Sequence, residues 1–233
     1  MPQIASWEKP RRHAPGRLID RDRLVAWYRR NRERSRLLFD LLTQEDTHYS
    51  QPIALRHPFI FYEGHIPTFS LNTLVKRGLG ETGIDTGMEA LFARGIDPPT
   101  DQAAGLDAAR HRELWPSRRA VVQFTEAADA RVIEALMHAD IERPGHPLLD
   151  RAEAAFVILE HEVMHQETLL YMLHRLPFAL KRAPEGYQTA VGGAAPRPRW
   201  IEIGPGGATL GTDRQAAAFA WDNEGPRHSE AVP

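Results

Sequence analysis

The sequence predicts a mainly α protein: a four-helix bundle, then a linker, then the opening β-segments of a further module. Three observations predict it. Apolar residues recur at helical spacing in four stretches before residue 182. A Pro-, Gly- and Ala-rich run, APEGYQTAVGGAAPRPR (183–199), then breaks the pattern. Beyond it, WIEIGPGGATLGTD carries two short β-like runs around a Pro-Gly-Gly turn. The expected boundaries are 1–182 for the bundle, 183–199 for the linker and 200–233 for the start of the further module. That last stretch, about thirty-four residues, is too short to bury a core of its own.

Each element has its own reason. Residues 1–17 are rich in Pro and Arg and read as irregular. The first helix runs from Ile19 to about Leu42, with Asp20 as N-cap and Leu24, Trp27, Leu38, Leu41 and Leu42 as its apolar stripe. The arginines at 29, 30, 32, 34 and 36 are assigned to its wet face. Pro58 opens the second helix, which runs to about Lys76; a first-turn N–H has no helical partner, so proline costs nothing there. Pro67 inside it is expected to kink it. Residues 77–114 are rich in Gly, Pro and Asp, with one short helix near Met88–Ala93. The third long helix spans Ser117 to Ala139, with Val121, Phe124, Ala128, Val132 and Leu136 inward; the fourth runs from Leu149 to Leu176 and stops at Pro177.

Composition excludes several classes. A formal net charge of −2, from 29 basic and 31 acidic residues, gives no basic footprint for nucleic acid or an anionic membrane. Cysteine is absent, which removes disulfides, thiolate metal sites and cysteine nucleophiles. The N-terminal residues lack the apolar segment of a secretory signal, and no run is apolar and long enough to span a bilayer, so a cytoplasmic location is expected. The Gly run at 204–211 reads as a hairpin turn and not a phosphate cradle, since no helix or P-loop lysine follows.

The chemistry sits in EHEVMHQETLLYM (160–172). His161 and His165 lie roughly 40° apart on a helix, on the same side as Ala154, Val157, Ile158, Thr168 and Met172. Two imidazoles facing a core need partners. A metal ion would satisfy both; so would hydrogen bonds to neighbouring helices, and this spacing alone leaves both readings open. His65, on a helical face with Phe61, Tyr62, Phe69 and Asn72, offers a third ligand, whereas His57 falls at the helix mouth. Three histidines leave coordination positions open for substrate or oxygen. The same letters also fit the zinc-hydrolase pattern H-E-x-x-H, with Glu162 as general base. That pattern lacks its third ligand here: position 171 is Tyr, and Glu185 lies past Pro177. Tyr62 and Tyr171 read as core, Glu167 as a structural hydrogen-bonding residue, and His228 as no ligand.

Segment 58–65, PFIFYEGH, resembles the P-x-x-x-x-x-G-H segment of the iron(II) sulfoxide synthases of ergothioneine and ovothiol biosynthesis; LRHPFIFYEGH is closest to the ovothiol type. EHEVMHQET resembles their H-E-x-x-H-x-E on the last helix of a DinB-like bundle. IEIGPGGATLGTD and FAWDNEGPRH, with Asp222, Asn223 and Glu224, resemble the opening of a formylglycine-generating-enzyme (FGE-sulfatase) type α+β domain. The resemblance implies Fe(II) as cofactor, held by His65, His161 and His165, and oxygen-dependent joining of a thiol sulfur to an imidazole carbon of hercynine or histidine. Selenoneine synthases share this architecture, so a selenium donor fits equally. The implied partners are these small molecules and O₂. Met164 and Glu162 are the substrate-binding candidates, although the ergothioneine branch often has a polar Gln where Met164 stands. The family's second domain runs well beyond this length and supplies most substrate contacts and a catalytic tyrosine. The resemblance therefore implies an N-terminal portion of a longer enzyme, and no catalytic residue is assigned within it. Two other readings of the same bundle stay open: a DinB-like zinc or nickel hydrolase or thiol transferase, and a non-catalytic metal-binding fragment.

Overall fold

The computed structural model describes residues 19–93, 112–188, 192–214 and 216–233. The expectation for residues 1–17 lies outside that set. The described chain is mainly helical and divides into two units, one of which, Asp20–Tyr187, contains all the long helices. No described helix is long and apolar enough to cross a membrane.

Helix α1 (Arg21–Asp40) starts where the Asp20 carboxylate accepts the Arg23 N–H at 3.0 Å, the expected cap. Helix α2 (Phe59–Ser70) follows Pro58 and is buried almost all round. It continues through Pro67, and its departure from α geometry falls later: Leu71–Gly78 is a π-helix. Thr68 Oγ1 donates back to the Gly64 carbonyl at 2.7 Å beside the proline. Helix α3 (Thr86–Phe92) is the short piece expected near Met88. Helix α4 (Arg118–His138) is capped by Ser117, and α5 (Glu153–Arg175) ends before Pro177.

In the bundle, α1 packs on α4 and α5, and α2 packs on α3, α4 and α5. Phe61, Tyr62, Ile66, Phe92, Phe124 and Met172 fill the core around α2. The chain ends of α1 and α5 are tied by Thr43 N–H to Leu180 O (3.1 Å) and Arg182 N–H to Leu41 O (2.9 Å).

One assignment on α1 needs correction. Arg29, Arg30, Arg34 and Arg36 are exposed, but Arg32 is buried. It lies four residues after Tyr28 and three before Ser35, on the helix's inward face, and acidic partners meet it there. Its Nε donates to Asp129 Oδ1 on α4 at 2.8 Å and its Nη1 to Glu162 Oε1 on α5 at 2.9 Å. Burial disfavours its charge, yet Glu162 and Asp129 outweigh that and hold its pKa above the ordinary value.

The other unit includes Gln188–Pro233. Here the expected local hairpin is not formed. Strand β1 (Gly206–Leu210) absorbs most of the glycine run and pairs antiparallel with β2 (His228–Val232), in a register of Gly206 to Val232 and Leu210 to His228. Trp200–Gly204 is not a strand. The partner comes from eighteen residues on because Asp222–Glu224 forms a 3₁₀ turn that folds the chain back, with Thr212 N–H bonding Glu224 O at 2.6 Å. Asp222, Asn223 and Glu224 are thus the corner of this loop. Both strands are largely exposed, as a stretch too short for a core requires.

Arg32 bridges two buried carboxylates, so removing it takes the ion pair from Glu162, which keeps only Ser35 Oγ, and one of three donors from Asp129. Arg32→Met is expected to cost about 3–5 kcal/mol in urea unfolding, whereas Arg36→Met, from the half-exposed arm on Asp129, costs under about 1 kcal/mol. Equal costs would contradict the assignment.

Candidate metal centre

His65 reaches the core because Gly64 precedes it. A Cβ on Gly64 would lie 2.5 Å from the Phe92 ring carbons, so only glycine lets α3 come this close to α2. That approach places the Phe92 carbonyl 2.7 Å from His65 Nδ1. A carbonyl only accepts, so Nδ1 carries the proton and Nε2 keeps its lone pair. Phe61 stacks on the His65 ring, with centroids 4.8 Å apart and planes 18° off parallel.

His161 and His165 arrive from α5 one turn apart. Their Nε2 atoms are 3.1 Å from each other, and Phe69 stacks on His161 with centroids 3.5 Å apart. The His65 ring lies 5.1 Å from that of His161 and 4.9 Å from that of His165. All three are buried, and one nitrogen from each falls within 4.8 Å of the others. Desolvation lowers all three pKa values, that of His165 to about 3 and that of His161 further still, with the neighbouring imidazoles adding to the effect on these two. The three rings are therefore neutral at pH 7.

Three neutral imidazoles suit a divalent ion of intermediate softness. Two nitrogens each about 2.1 Å from one ion, at a right angle, stand about 3.0 Å apart; the pair here is at 3.1 Å. Without an ion, that pair shares at most one proton. Nδ1 of His161 and Nδ1 of His165 are buried with no hydrogen-bond partner among the described residues, so no neighbouring helix anchors these rings by a hydrogen bond, and the lone pairs that meet are those of the facing Nε2 atoms. The donor set fits a metal.

The remaining candidates sit elsewhere. Glu162, expected to touch substrate, instead turns toward α1: its Oε1 accepts from Arg32 and from Ser35 Oγ at 2.7 Å. Burial raises its pKa against the pull of Arg32. Met164 is 47% exposed on the outer flank of α5. Glu167 is exposed and shows no hydrogen bond among the described residues, while Tyr62 is core and Tyr171 is partly exposed beside Arg56. His228 is on the strand pair, bonded to its own Pro226 carbonyl at 3.1 Å. Sequence reasoning missed the Phe92 carbonyl, the Phe69 stack and Gln166, whose amide donates to Asn31 O and Ser35 Oγ. A backbone acceptor leaves no mark in side-chain identity. Phe69 was on the histidine face but without a role.

Gly64→Ala is expected to push Phe92 away, costing about 1–3 kcal/mol in thermal unfolding and exposing the His65 Nδ1 proton to faster solvent exchange by NMR. An unchanged melting curve and an unchanged imidazole proton would sink the positioning role given to Phe92.

The model of the DinB superfamily matches residues 28–169, more than half of the chain, and spans all three histidines. Ergothioneine biosynthesis protein 1 of Neurospora crassa is 31% identical over 202 residues, covering 80% of this chain and 22% of the relative. The Schizosaccharomyces pombe protein of the same name is 28% identical over 229 residues, covering 82% of this chain and 28% of the relative. The chain thus spans roughly a quarter of the length of these curated relatives, and the resemblance to ergothioneine biosynthesis proteins extends beyond the histidine motifs to about four-fifths of it. On the match over 28–169 and the helical bundle that carries it, the chain belongs to the DinB superfamily.

Proposed function

We propose that this chain is the metal-binding part of an iron(II)- and oxygen-dependent sulfoxide or selenoxide synthase, an oxidoreductase that forms a C–S or C–Se bond on the imidazole of hercynine or histidine. One observation carries the reading: three buried, neutral imidazoles from two helices converge in a chain similar to proteins named for ergothioneine biosynthesis. Iron(II) held by His65, His161 and His165 would supply open coordination positions and redox chemistry with O₂.

The chain's own residues contribute the setting. The Phe92 carbonyl fixes the His65 tautomer, so the lone pair faces the site and not the backbone. Burial keeps a second proton off all three rings. Phe61 and Phe69 hold two ring planes and exclude water from them. Within this reading, residues 1–182 are the DinB-like bundle, 183–199 the linker and 200–233 the opening of an FGE-sulfatase-type domain. Met164, exposed one residue before His165, stays a candidate for substrate contact. Glu162 leaves that role, because its carboxylate is committed to α1. The same commitment weakens the H-E-x-x-H zinc-hydrolase reading, which needs Glu162 free as general base.

Anaerobically purified protein is expected to hold one iron per chain, and His65→Ala, His161→Ala and His165→Ala each to lose most of it. Oxygen uptake should require an imidazole acceptor and a thiol or selenium donor together; zinc with oxygen-independent turnover contradicts the proposal. The pH dependence follows from the ring environments. Folded pKa values lie below the ordinary 6.5, reaching about 3 at His165, so iron affinity should stay nearly flat as pH falls through 6.5. Over the same range the unfolded chain binds protons that the folded rings refuse, so the metal-free protein loses stability. Affinity that falls steeply from pH 7 to 6 would mean that the ligands are ordinary exposed histidines.

A further inference from the structure

A cavity of about 500 Å³ opens directly beside the histidine cluster, with His65 and Phe69 in its wall. The same wall continues along the π-helix, which contributes Asn72, Thr73, Lys76 and Arg77, and α3 supplies Thr86, Glu89 and Ala90 across from it. Hydrogen bonding at i→i+5 widens the turn and brings positions 72 and 76, and 73 and 77, close to vertical register, so one face presents four polar side chains.

The charges there do not cancel. Glu89, also in the wall, is saturated: its carboxylate takes Lys76 Nζ and accepts the Ile84 N–H at 2.6 Å and the Asp85 N–H at 3.0 Å. Lys76 and Glu89 offset one another. Arg77 is exposed at the cavity's edge and has no ion-pair partner among the described residues. Nearby, Asn72 Oδ1 is buried and accepts no hydrogen bond among the described residues. A buried acceptor left open costs free energy, and a ligand N–H would remove that cost.

We propose that this cavity is a carboxylate subsite of the metal centre. Arg77 takes the carboxylate of a small amino-acid-like ligand in a two-pronged contact, Asn72 Oδ1 accepts an N–H of the same molecule, and the ligand's remaining end lies against His65. This rests on the reading of the cluster as a metal centre and extends it to a substrate class: the carboxylate, not only the reacting imidazole or thiol, is recognised. An arginine–carboxylate pair is geometrically selective, so recognition is lost when the acid group is missing.

The test is calorimetry of the full chain, metal-free and iron-loaded, with L-histidine and with histamine, which lacks only the carboxylate. Histidine is expected to bind roughly tenfold more tightly than histamine. Arg77→Gln should bring the two within about twofold of each other while leaving iron content and the melting temperature unchanged. Equal affinity of the unmodified chain for both, no measurable binding of either at millimolar concentration, or full discrimination by Arg77→Gln overturns the subsite. The two readings fail separately. A chain that takes up no iron but still discriminates keeps the subsite and loses the metal centre. One that holds iron on three histidines without discriminating does the reverse.

Discussion

Two imidazole nitrogens 3.1 Å apart inside a helical core, with a third imidazole beside them, are the constraint around which the bundle is organised. Such a cluster is unfavourable by itself. Each ring gives up water, none can take a proton cheaply, and two Nδ1 atoms have no partner. The surrounding structure makes sense as the machinery that holds this arrangement. Gly64 allows Phe92 against α2, the Phe92 carbonyl turns His65 inward, and aromatic faces lock two of the rings. A single bound ion would use the lone pairs that crowd together at the facing Nε2 atoms.

Helix α5 serves two functions on adjacent faces. His161 and His165 look into the cluster. Glu162 and Gln166, each the next residue along, turn about 100° away and bind α1. Through Arg32 the network reaches Asp129 on α4, which also accepts from Tyr28 OH at 2.8 Å. The network thus ties α5 to α1 and α4 in one register, and with it the position of two ligands. The glutamate of an H-E-x-x-H string is then a strut. A three-residue pattern match cannot tell a strut from a general base, because the distinction depends on what the neighbouring helix offers.

Much of this was legible in the sequence, for identifiable reasons. The four long helices follow from strong apolar periodicity, and the cap at Asp20 from a residue type that satisfies free N–H groups. Spacing put His161 and His165 on one inward face. What escaped notice is non-local. Arg32 was given to solvent because five arginines in eight residues look like a wet face, while its acidic partners lie about a hundred and more residues away. The strand Gly206–Leu210 was paired with its sequence neighbour, since nothing local reveals that the chain returns through Asp222–Glu224 to bring His228–Val232 alongside. The π-helix at Leu71–Gly78 has no composition that announces it, and it shapes the cavity wall.

The measurement closest to the central claim is X-ray absorption at the iron edge on the anaerobically loaded chain. Convergence of His65, His161 and His165 on one ion predicts imidazole scattering that fits three nitrogen rings at about 2.1 Å, falling to two in His65→Ala. A spectrum lacking imidazole scattering, or one unaltered by His65→Ala, would show that the cluster does not hold the metal.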